Sequence, residues 1–276
     1  MLKVGSKTRL YLGLSGIFIS IIISYLLISH LSENWALVVA TALASCWVIY
    51  FMNRWRFEPP SYAQQLKDII AILNLQPLRQ DVFLPFTKWA MEPSDLLNLV
   101  EYIQQNNSQA IVECGSGLSS LIVATALRQK NSGHLFSIEE DLNWYNLMCN
   151  LIKTHQLSDW ITVVYAPLEA YKQKGINTEW YSSQMLKPIF DTFDRLDVVI
   201  VDGPIRSNKT SRSPALFAFA PLIDHSTLVI LDDANRQEEQ QVITTWKEMF
   251  DITIEDHSSS QRGQAYIRQQ KINCVP

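Results

Sequence analysis

The sequence predicts an α/β protein with a mostly parallel sheet, preceded by two apolar segments long enough to cross a membrane. Three observations lead to this fold class. Short β-branched segments alternate with apolar helical patterns between residues 110 and 250, a strand–glycine turn–helix unit begins at Ala110, and residues 10–52 carry almost no charge. Alternating strands and helices are typical of parallel sheets covered by helices. A chain of 276 residues has room for one large domain and an appendage.

The unit that begins at Ala110 reads AIVECGSGLSSL. A β-branched strand is followed by Gly115 and Gly117, and then by an apolar helical pattern from Leu121. Glycine allows a positive φ and a close approach of the backbone to a ligand. The first turn of the helix presents unpaired N–H groups and the positive end of its dipole to that ligand. A glycine pair also occurs in turns that bind nothing, so its function depends on the residues around it.

Two acids and one serine narrow the type of ligand. Ser120 stands where the dinucleotide fingerprint would have its third glycine. Glu113, at the end of the strand, could take an ammonium group but would repel a pyrophosphate. A second strand, Leu135–Ile138, is followed by Glu139, and an acid in that position can accept both hydroxyls of a ribose.

On these residues the chain resembles the class I S-adenosylmethionine-dependent methyltransferases. ECGSG (113–117) looks like their first motif and SIEED (137–141) like their ribose-binding acid. The resemblance spans roughly residues 84–269 and implies a Rossmann-like class I methyltransferase sheet with an antiparallel last strand. It also implies S-adenosylmethionine as cofactor, with adenine at the end of the third strand. The cofactor contacts it implies are Glu113, Gly115, Ser116, Gly117, Ser119, Glu139, Ala166, Leu168 and Asp202.

The catalytic prediction centres on Asp202, which follows an all-apolar strand and precedes a Gly-Pro turn. By resemblance, this acid lies near the methionine part of the cofactor and near the acceptor. It could orient an acceptor hydroxyl or act as its general base. Asp232 and Arg236, at the end of the fifth strand, are the other predicted catalytic residues. Arg236 could instead pair with one of the acids, which would make this cluster structural.

The same acids raise the question of a metal. Asp202 together with Asp232 and Asp233 could hold a divalent cation, because hard cations favour clustered carboxylates. The catechol-type O-methyltransferases place acid and amide ligands at these two strand ends, but this chain has Asp-Asp where they have Asp-Asn. A metal-free site is therefore the preferred prediction, and the metal stays an alternative. A nearby basic segment, Arg206 to Arg212, fits a solvated loop, an anionic substrate or lipid headgroups.

The N-terminal segments predict a membrane hairpin. Leu10–Ser29 and Trp35–Met52 are uncharged runs of about the length that crosses a bilayer. Lysine and arginine flank both outer ends, and the positive-inside rule then places both ends, and the catalytic domain, in the cytoplasm. A signal peptide followed by a core helix fits less well, since a second apolar run follows at once. The predicted domains are the hairpin (1–56), a linker with an amphipathic helix (57–83) and a methyltransferase domain (84–276).

The remaining elements follow from the same patterns. Strands are predicted at residues 110–114, 134–138, 161–165, 196–201 and 227–231, with a final pair at 251–254 and 264–267. Helices are predicted at residues 62–73, 95–104 (with Ser94 as N-cap), 119–129, 142–155 and 237–250. Phe86, Thr87 and Trp89 are candidates to cover the cofactor, and Trp180-Tyr181 are placed in a polar connection that lines the substrate side. Ordinary aromatic packing explains both groups equally well.

Charge and cysteine usage limit the partners. A net charge of −4 and a pI near 5.7 argue against nucleic acid. The four cysteines are scattered, as free thiols in a reducing compartment would be. The predicted function is a membrane-anchored methyltransferase (EC 2.1.1.-) acting on oxygen of a small-molecule, glycan or lipid-linked acceptor, with residues 10–52 in the bilayer. The alternatives are a nicotinamide-dependent oxidoreductase and a non-catalytic membrane-tethered binding protein.

Overall fold

The computed structural model describes residues 38, 41–48, 62–79, 87, 89–205, 211–257 and 260–270. The chain divides into two compact units, Met1–Ser61 and Tyr62–Pro276. In the first unit the described residues, 38 and 41–48, are helical. The predicted spans Leu10–Ser29 and Trp35–Met52 otherwise lie outside the described residues. Within the described part of the chain, no helix has the length and apolar character needed to span a bilayer.

The second unit is built on a sheet with the strand order β3-β2-β1-β6-β7-β9-β8. The described strands are β1 Ala110–Cys114, β2 His134–Glu139, β3 Ile161–Tyr165, β4 Leu168–Gln173, β5 Ile176–Tyr181, β6 Val198–Val201, β7 Leu228–Asp232, β8 Ile252–His257 and β9 Gln264–Gln269. The first five strands in the spatial order are parallel. Strand β9 pairs antiparallel with β7, and β8 pairs antiparallel with β9. This confirms the predicted mostly parallel sheet with an antiparallel end.

Helices connect the parallel strands. The described α-helices of this unit are α1 Tyr62–Arg79, α2 Pro93–Gln105, α3 Leu118–Lys130, α4 Leu142–Thr154, α5 Lys187–Thr192, α6 Ala215–Phe219 and α7 Gln237–Met249. Consecutive residues of β1 point to opposite faces of the sheet: Ile111 packs in one hydrophobic cluster and Val112 in the other. Such burial on both faces explains why the parallel strands read as continuous apolar runs.

Helix α2 begins differently from the prediction. Its N-cap is Glu92, Pro93 is its first residue, and Ser94 lies in the first turn. Proline suits this position because its missing N–H would have no partner inside the helix. The Ser94 hydroxyl instead accepts a hydrogen bond from Gln64 Nε2 at 3.0 Å, which ties α2 to α1. Ser94 as the N-cap is therefore a wrong prediction.

The sequence patterns did not reveal the antiparallel hairpin of β4 and β5. Trp180 and Tyr181, assigned to a polar connection, are buried residues at the end of β5. Most outward positions of the hairpin are polar or charged, so the apolar periodicity is weak. The local signal lies at its turn, where Lys174 (φ +51°) and Gly175 (φ +79°) both adopt the positive φ that tight hairpins require.

Candidate active site

A cavity of about 540 Å³ opens at the carboxyl ends of β1, β2, β6 and β7. Ligands of open parallel sheets bind at this edge. The predicted site residues that line it are Gly115, Ser116, Gly117, Ser119, Glu139, Asp202 and Arg236. The structure thus brings together the glycine turn, the acid of β2 and the acids that follow β6 and β7.

The floor of the cavity is a close contact between two backbones. Gly115 has φ +91°, and a Cβ atom there would lie 2.9 Å from the nitrogen of Gly203. A Cβ on Gly203 would lie 2.8 Å from the Cα of Gly115. The N–H groups of Asp202 and Gly203 both donate to the carbonyl of Cys114, at 3.0 and 2.6 Å. Only glycine lets the ends of β1 and β6 meet in this way.

Glu113 lies beneath the glycine turn and is fully buried. Its carboxylate accepts hydrogen bonds from the hydroxyls of Ser119 (2.5 Å), Ser120 and Ser137 (3.0 Å). Burial raises its pKa to about 7, against the lowering effect of these hydroxyls. Glu113 does not line the cavity. Its cofactor contact stays a prediction, while its observed contacts hold the turn from below and explain why Ser120 stands in place of a third glycine.

Glu139 is the acid that faces the cavity from β2. Its two oxygens accept the N–H groups of Ser116 (3.2 Å) and Asp141 (2.9 Å). Burial raises its pKa to about 7. The indole of Trp144, fixed by a 2.7 Å hydrogen bond to the carbonyl of Ser116, lines the same region together with Leu147. A carboxylate beside an apolar wall is suited to a nucleoside.

Two predicted cofactor residues do not join this group. Ala166 is fully buried and donates its N–H to the carbonyl of Glu139 at 2.9 Å. Leu168 begins β4 and packs against a hydrophobic cluster. Neither residue lines the cavity. The chain enters the β4–β5 hairpin directly after β3. The cofactor contacts of Ala166 and Leu168 stay a prediction.

Arg212 is the centre of the acidic side of the cavity, and its side chain is only 7% exposed. Its guanidinium lies 3.1 Å from Asp202 Oδ1, 3.4 Å from Asp233 Oδ2 and 3.8 Å from Glu239 Oε1. It also donates to the carbonyl of Asp232 at 2.8 Å. A solvated loop was one interpretation of this basic segment, and for Arg212 it is wrong. Arg206 and Lys209 lie outside the described residues.

The buried charges of this cluster shift its proton equilibria. Burial raises the pKa of Asp202 to about 6, against the attraction of Arg212. Burial and the neighbouring Asp202 raise the pKa of Asp232 well above its usual range. For Arg212, burial acts to lower the pKa, but the surrounding carboxylates raise it above its ordinary value. The guanidinium is therefore always charged.

Asp233, and not Asp232, reaches the cavity after β7. Asp232 is the last residue of the strand and accepts the side-chain amide of Gln264 at 2.9 Å. Asp233 has φ +58° and turns its carboxylate toward Arg212 and toward Arg236, whose guanidinium lies 2.5 Å away. Arg236 pairs with an acid, as the alternative expected. Its catalytic role and that of Asp232 stay predictions. Adjacent acids at a strand end point in different directions, and the pattern of the sequence does not say which one faces the ligand.

Sequence reasoning missed Arg262, in the loop between β8 and β9. Its side chain lines the cavity and lies 3.3 Å from Glu92 Oε1 and 3.8 Å from Asp233 Oδ1. It joins the 89–92 segment to the acidic cluster. Thr87 and Trp89 line the cavity as predicted, whereas Phe86 lies outside the described residues. A lone arginine in a polar loop carries no sequence signal of such a role.

Comparisons with known proteins agree with this fold. Residues 112–234 match a family model described as a methyltransferase domain. A caffeoyl-CoA O-methyltransferase candidate from Staphylococcus aureus is 14% identical, with 80% of this chain and 98% of that chain covered and a TM-score of 0.50. An SAH-bound methyltransferase from Podospora anserina is 12% identical, with 81% and 94% covered and a TM-score of 0.52. Curated proteins give no match. The fold is the class I methyltransferase fold.

The contact between the two glycines predicts a specific destabilisation. We expect Gly115→Ala to lower the free energy of unfolding by about 2 kcal/mol more than Gly175→Ala. Both glycines have positive φ, but a Cβ at Gly115 meets the backbone of Gly203, whereas a Cβ at Gly175 meets nothing within 4 Å. Chemical denaturation measures both variants. Equal losses would contradict the role given to the backbone contact.

The raised pKa of Glu113 predicts a pH-dependent stability. Between its ordinary value of 4.5 and its folded value of about 7, the unfolded chain ionises first, so the free energy of unfolding falls as pH rises. Glu113→Gln removes this titrating group, and the stability of the variant relative to the wild type should rise by about 3 kcal/mol from pH 4.5 to pH 8. Denaturation at several pH values measures the difference, with the exposed Glu169→Gln as control. A difference independent of pH would contradict the prediction.

Proposed function

We propose that the chain is a membrane-anchored, S-adenosylmethionine-dependent methyltransferase that transfers a methyl group to an oxygen of a small-molecule, glycan or lipid-linked acceptor. One observation carries the proposal: Gly115, Glu139 and Asp202 line a single cavity in a class I methyltransferase fold. The match of residues 112–234 to a methyltransferase domain supports it.

The lining of the cavity fits this cofactor. Glu139 keeps lone pairs for the ribose hydroxyls beyond the two backbone N–H groups that it accepts. Trp144 and Leu147 supply apolar contact for a purine, and the glycine turn leaves room for the remainder of the molecule. The similar methyltransferase from Podospora anserina is bound to SAH, which supports the same cofactor here.

When bound, S-adenosylmethionine supplies an electrophilic methyl group. The protein has to align an acceptor oxygen with it and exclude water, which accounts for most of the catalysis in such a displacement. Asp202 Oδ1 is held by Arg212, and Oδ2 is left for an acceptor hydroxyl. With a pKa of about 6, Asp202 is ionised at neutral pH and can accept the proton of that hydroxyl.

Membrane anchoring is supported by helix α1 as well as by the uncharged segments at residues 10–52. One side of α1 packs into the domain through Ala71, Leu75 and Leu78. The opposite side is apolar and exposed: Tyr62, Leu66, Ile69, Ile70 and Leu73 are 49–91% exposed. An exposed apolar helix face of this kind suits the surface of a bilayer.

The cofactor assignment predicts binding of S-adenosylhomocysteine (SAH) to the full chain in detergent, measured by calorimetry. Glu139→Ala should weaken binding about 10- to 100-fold, because charge-assisted hydrogen bonds to the ribose are lost. Glu169→Ala, at an exposed acid of β4, should leave the Kd unchanged. Folded protein that binds NADH and not SAH would favour the oxidoreductase. Folded protein that binds neither would favour a tethered binding protein.

The membrane assignment predicts that liposome binding depends on the apolar face of α1. In a chain beginning at Ser61, Leu66→Glu/Leu73→Glu should reduce co-sedimentation with phospholipid vesicles at least about fivefold, since it places two charges in the apolar surface. Ala63→Glu/Asn74→Glu adds the same charge on the flank of the helix and should have a small effect. Circular dichroism checks folding. An equal loss of vesicle binding in both variants would show that binding depends on charge and not on burial of this apolar face.

A further inference from the structure

The three aspartates at the ends of β6 and β7 are close enough to share one cation. Asp202, Asp232 and Asp233 each place a carboxylate oxygen within 4.8 Å of the other two. Carboxylates in this arrangement are the ligands that hard divalent cations prefer. The residues at these strand ends therefore have the chemistry of a metal site, and whether they fit one depends on what already contacts their oxygens.

Each aspartate already has a donor on at least one carboxylate oxygen. Asp202 Oδ1 faces Arg212 at 3.1 Å, and Asp232 Oδ1 accepts the amide of Gln264 at 2.9 Å. Asp233 Oδ2 faces Arg212 at 3.4 Å and Arg236 at 2.5 Å. Asp232 Oδ2 and Asp233 Oδ1 are buried and accept no hydrogen bond, so these oxygens by themselves would not exclude a cation. A divalent ion bound to them would lie against the buried guanidinium of Arg212, which is within 3.4 Å of two of the three carboxylates and has the same sign of charge. The charge of Arg212 is therefore what makes the set unfit for a metal.

We propose that Arg212 is the fixed cation of this cluster and replaces the divalent metal that three such carboxylates would otherwise bind. The guanidinium is planar and carries five N–H donors, so it can donate hydrogen bonds to Asp202, to Asp233 and to the carbonyl of Asp232 at the same time. The catalytic part of this proposal rests on the proposed function. Arg212 is then a positioning residue that holds Asp202 toward an acceptor, and methyl transfer needs no added metal.

The test is binding of Mn²⁺ to the chelator-treated full chain, followed by electron paramagnetic resonance. Wild-type protein is expected to bind no stoichiometric Mn²⁺. Arg212→Gln removes the charge and keeps hydrogen-bonding groups, and it should bind one Mn²⁺ per chain at a concentration at least about tenfold below the highest at which the wild type shows no binding. Arg212→Lys keeps the charge and should behave like the wild type. In Arg212→Gln/Asp202→Asn the gained binding should be lost again.

Two results would overturn the proposal. One is stoichiometric Mn²⁺ binding by the wild type that Asp202→Asn abolishes; the other is a folded Arg212→Gln that binds Mn²⁺ no better than Arg212→Lys. If Arg212→Gln folds poorly, Mn²⁺ should raise its Tm or its refolding yield and leave the wild type unchanged. An equal effect of Mn²⁺ on both proteins would also overturn it. SAH binding measured on the same samples reports separately on the cofactor assignment.

Discussion

Compensation of buried negative charge by Arg212 is the interaction on which the site depends. Asp232, Asp233 and Glu239 are buried at the carboxyl edge of the sheet, and Asp202 is only partly exposed. Isolated buried carboxylates are costly, and without a partner they take up protons or draw in water. One guanidinium lies within 4 Å of three of these acids and also binds the carbonyl of Asp232. The ends of β6 and β7 can therefore carry acids that face a ligand cavity.

A second constraint comes from the backbone. Gly115 and Gly203 bring the ends of β1 and β6 into contact, and Glu113 with its three serines supports the turn from below. Hydrogen bonds within the protein thus fix the turn, and Ser116 also donates its N–H to Glu139 and accepts the indole N–H of Trp144 on its carbonyl. A cradle held in this way lowers the entropic cost of binding a nucleoside.

Sequence patterns predicted the parallel sheet and seven of the residues that line the cavity, because strand ends in such a fold meet at one edge. The bounds of β1 and β3 agree with the prediction, and the other predicted strands of the parallel sheet begin or end within two residues of it. What the patterns missed depends on side-chain direction and on contacts distant in sequence. Ala166 and Leu168 do not line the cavity, Asp233 lines it and Asp232 does not, and Arg262 comes from a loop about thirty residues beyond β7. Neither residue type nor spacing encodes these directions.

The most direct test of the account is a crystal structure of the protein with SAH. The account predicts that the ribose hydroxyls lie within hydrogen-bonding distance of Glu139, with the adenine against Trp144. It also predicts the sulfur between the Gly115–Gly117 turn and Asp202, and Arg212 still paired with Asp202. An SAH molecule bound elsewhere, or one in this cavity that makes no contact with Glu139, would contradict the assignment of this edge of the sheet as the cofactor site.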